Sequence, residues 1–169
     1  MEKKLQAAAA HNTVAAFALI NHPLKFRLYL LKNLPAAYFS GLKITQANDA
    51  SCIVSISFKW FTQNPFRSTY FACLSMAAEM STGILTMAHV FKRRPAISML
   101  VTGLEAKFYK KATGKTFFEC GDGAQIQEAV ETAIATALPQ QTKAHSLGKN
   151  EAGETVAEFW IEWSFKAKQ

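Results

Sequence analysis

Alternating apolar and polar positions predict the strands of this chain. The clearest run spans residues 51–61, where every second residue from Cys52 to Trp60 is apolar and the residues between are mainly serine or lysine. A period of two is typical of a strand with one face buried. The same signal, with turn residues between the runs, predicts further strands at 42–45, 98–110, 116–120, 142–147 and 156–166.

Four segments have helical patterns. Residues 3–20 are rich in alanine, a strong helix former, and His22-Pro23 separates them from an amphipathic segment at 24–33 in which Leu24, Leu28 and Leu31 share a face. Residues 36–41 are predicted to be a loop. Residues 125–138 repeat apolar side chains at helical spacing and stop at Pro139.

The longest predicted helix begins at Asn64-Pro65 and continues to about Phe91. Asn suits the N-cap and Pro suits the first helical position. The segment is apolar nearly all the way round, and a helix of that kind must be wrapped by other elements. The chain is therefore predicted to be one α+β domain, residues 1–169. Helices at 1–34 precede a core at 42–166, in which a curved antiparallel sheet wraps around the long central helix.

Composition indicates which partners and which cellular environment the protein has. Half of the 169 residues are apolar, the formal charge is +7 and the pI is about 9.4, which favours anionic partners or a solubilising surface. Three cysteines match no metal or redox spacing, so free buried thiols in a reducing, cytoplasmic setting are expected. Polar residues 11–13 interrupt the Ala-rich start, so no cleaved signal is predicted.

Glu79 is the first candidate for chemistry, because it lies in the middle of the apolar helix. A buried carboxylate must be paired, hydrogen-bonded or protonated, and such groups often serve catalysis. The alternatives are an exposed face of the helix or an ion pair with the sheet. Asn64 is the second candidate. It is either an ordinary helix cap or a polar group beside a helix N-terminus that polarises a carbonyl.

Basic residues form two groups. Lys92, Arg93 and Arg94 follow the long helix, where cations favour the helix dipole. The other group surrounds the hairpin at 98–117 and comprises Lys107, Lys110, Lys111 and Lys115. These lysines either solvate the hairpin or bind the phosphates of coenzyme A. Nucleic acid is not an expected partner because no nucleic-acid motif is present. A membrane is not expected either, since Glu79 interrupts the longest apolar run.

Residues 63–83, QNPFRSTYFACLSMAAEMSTG, resemble the signature segment of hotdog-fold acyl-CoA thioesterases, in particular the phenylacetate type and its thioesterase-like relatives. In that family an Asn precedes the central helix, a His-Gly-Gly segment follows about six residues later, and an acidic residue lies about fifteen residues after the Asn. Asn64 and Glu79 have that spacing. Tyr70-Phe71-Ala72 occupies the place of His-Gly-Gly. The order of elements also resembles the family from about residue 23 to the end, with the first helix as an extension.

The resemblance implies a site shared between the two subunits of a homodimer, and the sequence leaves dimer and tetramer open as the final assembly. Backbone N–H groups near Ala72 would bind the thioester carbonyl, Glu79 would be the base or nucleophile, and Asn64 of the partner would orient the thioester or the water. Coenzyme A would enter as part of the substrate, with no other cofactor and no metal. The expected substrate-binding residues are Arg67, Tyr70, Phe71 and Ala72, and those for the CoA phosphates are Lys107, Lys110 and Lys111.

Phe71-Ala72 is bulkier than the Gly-Gly pair that lets a thioester approach the backbone closely. Two functions therefore stay open. The first is hydrolysis of a fatty or aromatic acyl-CoA thioester. The second is binding of an acyl group or lipid without hydrolysis.

Overall fold

The computed structural model describes residues 2–168, and one antiparallel sheet runs through most of it. The strands are β1 (Lys43–Ala47), β2 (Cys52–Ser57), β3 (Ile97–Phe108), β4 (Lys115–Cys120), β5 (Gln140–Asn150) and β6 (Thr155–Ala167). They pair in the order β1-β2-β4-β5-β6-β3, and each neighbouring pair is antiparallel. β1 and β3 are therefore the two edges of the sheet.

The helices are α1 (Glu2–Ile20), α2 (Pro23–Asn33), α3 (Pro35–Ser40), α4 (Phe71–Val90) and α5 (Gly123–Thr136), and a 3-10 turn spans Trp60–Thr62. α4 lies against the concave face of the sheet, where β6 presents Phe159, Ile161 and Phe165, all fully buried. Alternation along β6 produces this face because successive side chains of a strand point to opposite sides. The result is the predicted α+β arrangement of a curved sheet around one long helix.

α4 is also long and apolar enough to cross a membrane by length and composition alone. Most of its side chains are instead buried between the sheet and the other helices. It is the core helix of this fold, as its all-round apolar pattern predicted.

The predicted start of the long helix at Asn64 is wrong. The helix begins at Phe71, with Tyr70 as its N-cap, and residues 64–70 are a loop. The Asn64 side chain accepts hydrogen bonds from the backbone N–H groups of Phe66 and Ser68 at 3.0 and 3.2 Å. An Asn side chain that binds backbone N–H groups two and four residues later stabilises a turn in competition with a helix.

Three other local predictions need correction. Residues 36–41 are not only a loop, because α3 forms there and ends at Gly41, which has a left-handed φ of 74°. The strand predicted at 51–61 ends at Ser57, and Trp60 is 82% exposed rather than buried. In β3 the apolar Leu100 and Leu104 are 67% and 52% exposed, and a register shift between Val101 and Gly103 places them on opposite faces of the sheet, paired with Ser164 and Ile161.

Candidate active site

A cleft of about 570 Å³ lies at the N-terminus of α4, between the 64–70 loop and the residues that follow β3. Two short backbone hydrogen bonds hold the loop against its neighbours. The N–H of Thr69 donates to the carbonyl of Ala112 at 2.8 Å, and the N–H of Tyr70 donates to the carbonyl of Thr62 at 2.7 Å. The lining residues are Asn64, Pro65, Phe66, Ser68, Thr69, Tyr70, Phe71, Leu74, Phe108, Tyr109, Lys110, Lys111 and Ala112.

The two ends of the Asn64 side-chain amide, Oδ1 and Nδ2, differ in their hydrogen bonding. Its Oδ1 accepts from Phe66, from the N–H of Ser68 and from the Ser68 hydroxyl at 3.3 Å. Three donors on the same atom fix the orientation of the amide. The Nδ2 group makes no hydrogen bond within residues 2–168, so it can donate to a ligand in the cleft.

The start of α4 offers backbone donors at the same place. The N–H groups of Cys73 and Leu74 bind the carbonyl of Tyr70, whereas those of Phe71 and Ala72 have no acceptor in the described part of the chain. The first N–H groups of a helix have no partner within the helix and carry the positive end of its dipole. Two such groups at the edge of a cleft can stabilise the negative oxygen that develops when a thioester carbonyl is attacked.

Aromatic rings form the apolar part of the cleft. Phe71 contacts Tyr70 and Phe108 in edge-to-face geometry, with ring centroids 5.0 and 6.5 Å apart. The side chains of Tyr70, Phe71 and Phe108 are 46%, 56% and 50% exposed, so a ligand would bury substantial apolar area there. Phe71 is the first residue of α4, so its side chain is attached directly at the start of the helix, where the two free N–H groups lie.

Glu79 lies outside this cleft, on α4 seven residues after Ala72. At the rise of an α-helix this is about 10 Å from Ala72. Its carboxylate has no ion pair and no hydrogen bond within residues 2–168, and burial raises its pKa. Gly83 leaves room for it: a Cβ there would lie 3.0 Å from Oε1 of Glu79. Ala72, Ser75, Glu79 and Gly83 share the one stripe of α4 that is not fully buried.

The structure separates the predicted CoA-binding lysines. Lys110 and Lys111 line the cleft, and Lys110 pairs with Glu154 at 2.6 Å. Lys107 lies on the opposite face of the sheet, with its Nζ 5.2 Å from the centre of the Trp160 ring. Arg67 is exposed in the loop, with a φ of 57°, and does not line the cleft. Among residues 2–168, no three His, Cys, Asp or Glu residues lie close enough together to bind a metal ion.

The fold thus brings Asn64, Tyr70, Phe71, Lys110 and Lys111 together and leaves Glu79, Arg67 and Lys107 apart from them. Phe66, Phe108 and Tyr109 also line the cleft, and no motif in the sequence marked them as site residues. Phe108 does belong to the apolar face of β3, but at the end of an edge strand this face opens into the cleft.

The sequence profile for the domain of unknown function DUF4442 matches residues 28–164. The chain belongs to this family. The match begins within α2, covers β1 to β5, α4 and α5 completely, and ends within β6. Among curated proteins, no sequence matches this DUF4442 protein.

Solved structures similar to this DUF4442 protein share its fold. One is PA5026 from Pseudomonas aeruginosa, a protein of unknown function described as a probable thioesterase, with 18% identity, a TM-score of 0.71, and coverage of 86% of this chain and 97% of that one. Another is thioesterase HI1161 from Haemophilus influenzae, with 12% identity, a TM-score of 0.62, and coverage of 83% and 88%. These neighbours are hotdog-fold thioesterase-like proteins, so the hotdog fold expected from residues 63–83 is confirmed.

Proposed function

We propose that this protein hydrolyses acyl-CoA thioesters. The observation that carries the proposal is the pair of free N–H groups at Phe71 and Ala72, which lie at the start of α4 beside an apolar cleft. The thioester carbonyl would accept from them, and the acyl chain, fatty or aromatic, would lie against Phe71 and Phe108. Lys110 and Lys111 at the rim would attract the phosphates of coenzyme A. The thioesterase-like structural neighbours support this class of reaction.

Glu79 would serve the cleft of a partner subunit. About 10 Å separates it from the free N–H groups of its own helix, which is too far for direct attack or for activation of one water molecule. It lies on the partly exposed stripe of α4, and two α4 helices packed antiparallel through these stripes would bring each Glu79 toward the other N-terminus. The unpaired outer side of β3 would join the two sheets at the same interface. The proposed assembly is a homodimer, or a tetramer of two such dimers.

The raised pKa of Glu79 suits a general base. A base works best when its pKa lies near the working pH, and burial moves the pKa of Glu79 upward from 4.5 in that direction. Glu79 would take a proton from water, or attack the thioester directly, while Asn64 would orient the thioester or the water through its free Nδ2. The proposed location is the cytoplasm, where acyl-CoA substrates and reduced cysteines are both expected.

The test is a thioesterase assay with a panel of fatty and aromatic acyl-CoAs, in which release of free thiol is measured for the wild type and for Glu79→Gln. The matched control is Glu128→Gln, because Glu128 is exposed on α5, away from both the cleft and β3. Hydrolysis by the wild type and the control, with at least a hundredfold loss in Glu79→Gln, is the expected result. Full activity in Glu79→Gln would remove this residue from the mechanism.

Phe71 supports a second candidate, a protein that binds an acyl group without hydrolysing it. Its exposed side chain is attached at the start of α4, where the two N–H groups lie and where the hotdog thioesterases resembled by this segment have glycine. Phe71→Gly tests this reading, since opening the approach to the backbone would then create or greatly raise hydrolysis. If neither wild type nor Phe71→Gly hydrolyses any thioester, mass spectrometry of the purified protein should identify a bound acyl ligand.

A further inference from the structure

A second apolar surface lies apart from the cleft, on α2, α3 and the 3-10 turn. α2 has two apolar stripes on opposite sides. Phe26 and Leu30 point into the core and are 7% and 2% exposed, whereas Leu24 and Leu28 point outward and are 64% and 58% exposed. The outward stripe follows helical spacing and includes Leu31. Isolated exposed leucines are common, but an ordered second stripe is not needed to fold the helix.

The elements next to α2 also carry exposed apolar side chains. α3 packs against both α2 and the 3-10 turn, and the rings of Phe39 and Phe61 lie 6.4 Å apart across that contact. Trp60 is 82% exposed, the highest value among the large apolar side chains whose exposure the structure gives. We call this surface the outer patch, and its apolar members are Leu24, Leu28, Leu31, Leu34, Phe39, Trp60 and Phe61.

Basic side chains border the outer patch. On α2, Arg27 flanks the leucine stripe on one side, and Lys25 and Lys32 flank it on the other. Lys43 begins β1, and Lys59 is the N-cap of the 3-10 turn, where its Nζ donates to the carbonyl of Phe39 at 3.2 Å. All five residues are exposed, and none pairs with a carboxylate within residues 2–168.

The charge of the whole chain is concentrated in this part of the sequence. Residues 1–78 contain eight Lys or Arg and two acidic residues, Glu2 and Asp49, whereas residues 79–169 contain eleven basic and ten acidic residues. Six of the seven net positive charges therefore come from the first part of the chain, which includes the outer patch. A surface for a second copy of this chain would meet the same positive charge on both sides, which opposes self-association.

We propose that the outer patch docks this protein onto the surface of a lipid bilayer that contains anionic phospholipids. Exposed leucines, phenylalanines and a tryptophan would enter the interfacial region, and the flanking lysines and Arg27 would extend to the phosphates. Tryptophan favours this interface because its ring is apolar and its N–H is polar. The sequence alone led to the expectation of no membrane partner, since Glu79 argued against a spanning helix; docking at the surface requires no span.

Docking in this orientation brings the cleft close to the membrane. The 3-10 turn leads directly into the 64–70 loop, where a bridge joins Gln63 to Thr69 and Tyr70 binds Thr62. Phe66 of that loop is 73% exposed and continues the apolar surface toward the cleft. The proposal does not depend on hydrolysis, because it concerns a surface outside the cleft.

Tryptophan fluorescence and co-sedimentation with vesicles test the docking. Trp60 is the most exposed of the three tryptophans, and Trp163 is buried. Vesicles of equal parts phosphatidylcholine and phosphatidylglycerol should sediment the full-length protein and shift its emission to the blue, and high salt should reverse both effects. The blue shift should persist in Trp160→Phe and disappear in Trp60→Ser. Vesicles of phosphatidylcholine alone should bind at least tenfold more weakly, because each basic residue near an anionic surface contributes about 1 kcal/mol.

Two double variants separate the apolar and charged contributions. The first double variant is Trp60→Ser with Phe61→Ser, and the second is Lys25→Glu with Lys32→Glu. Each should weaken binding by on the order of tenfold or more while the melting temperature stays unchanged. The matched controls, Leu138→Ser and Lys149→Glu with Lys166→Glu, change exposed residues elsewhere and should bind as the wild type does. Equal binding to both kinds of vesicle, or unchanged binding by the outer-patch variants, would overturn the proposal. So would a change of native mass in these variants, which would make the patch a contact between protein chains.

Discussion

Burial of the Glu79 carboxyl group lowers the stability of the folded protein at pH values where the group would be ionised in water. Burial raises its pKa above 4.5, so the folded state holds a proton that the unfolded state releases. Between these two pKa values the folded state binds more protons, and stability falls as the pH rises through that window. Above the folded pKa, the full cost of a charged buried carboxylate is present.

Glu79→Gln should therefore raise the melting temperature at neutral pH, because the carboxyl is ionised there in the unfolded chain and burial disfavours the ionised form. The two proteins should have similar melting temperatures in acid below the ordinary pKa, where both side chains are neutral. Thermal unfolding at several pH values checks this, with Glu128→Gln as the control that shows no such divergence. A lower melting temperature for Glu79→Gln at neutral pH would mean that the carboxylate has a stabilising partner.

Gly83 determines where the Glu79 carboxylate can lie. An added Cβ would be 3.0 Å from Oε1 of Glu79 and 3.5 Å from the ring of Trp163, so Gly83→Ala should displace the flexible carboxylate rather than the backbone. The helix gains about 0.5–1 kcal/mol from replacing glycine by alanine. Under the proposed function, kcat should fall by on the order of tenfold to a hundredfold with little change in KM. Unchanged kcat in a variant of normal stability would show that the position of this carboxylate is not critical.

Helix α2 shows how far periodicity determines burial at the scale of an element. The sequence predicts the helix and a shared face for Leu24, Leu28 and Leu31, and both are present. It does not show that the face packed against the core is instead that of Phe26 and Leu30. Both stripes fit the helical period, so which of them is buried depends on the positions of α1, α3 and α4.

Truncation of one leucine from each stripe should distinguish them. Leu30→Ala should lower the free energy of unfolding by about 2–5 kcal/mol, because it leaves a cavity in the core. Leu28→Ala should change it by less than about 0.5 kcal/mol, since that side chain is already in water. Chemical denaturation of both variants measures the difference, and similar losses would place Leu28 in a buried contact.

At the scale of the whole molecule, the unpaired edge of β3 determines the proposed assembly. β3 is one of the two longest strands and presents the exposed Leu100 and Leu104, an arrangement that favours pairing with another strand. Leu100→Lys with Leu104→Lys should convert the proposed dimer to a monomer and remove hydrolysis with it. Light scattering after size exclusion gives the mass, and Leu138→Lys serves as an exposed control. A monomeric wild type would exclude the shared site.

The sequence by itself determined the strands, the central helix and the hotdog fold. Alternation and all-round apolarity report burial on one face or on every face, which local spacing is sufficient to encode. It also supplied Asn64, Tyr70 and Phe71, because the segment around them resembles a known motif. Only the tertiary structure placed the start of α4 at Phe71. There the Asn64 side chain and the carbonyls of Thr62 and Ala112 take up backbone N–H groups that a longer helix would use.

Tertiary structure likewise decided which apolar faces stay uncovered, on α2, on β3 and around the cleft. Each of these faces has the same pattern as a core face. Whether such a face is buried depends on elements that are distant in sequence, such as the missing neighbour beyond β3. That is why the outer patch was not predictable from residue order alone.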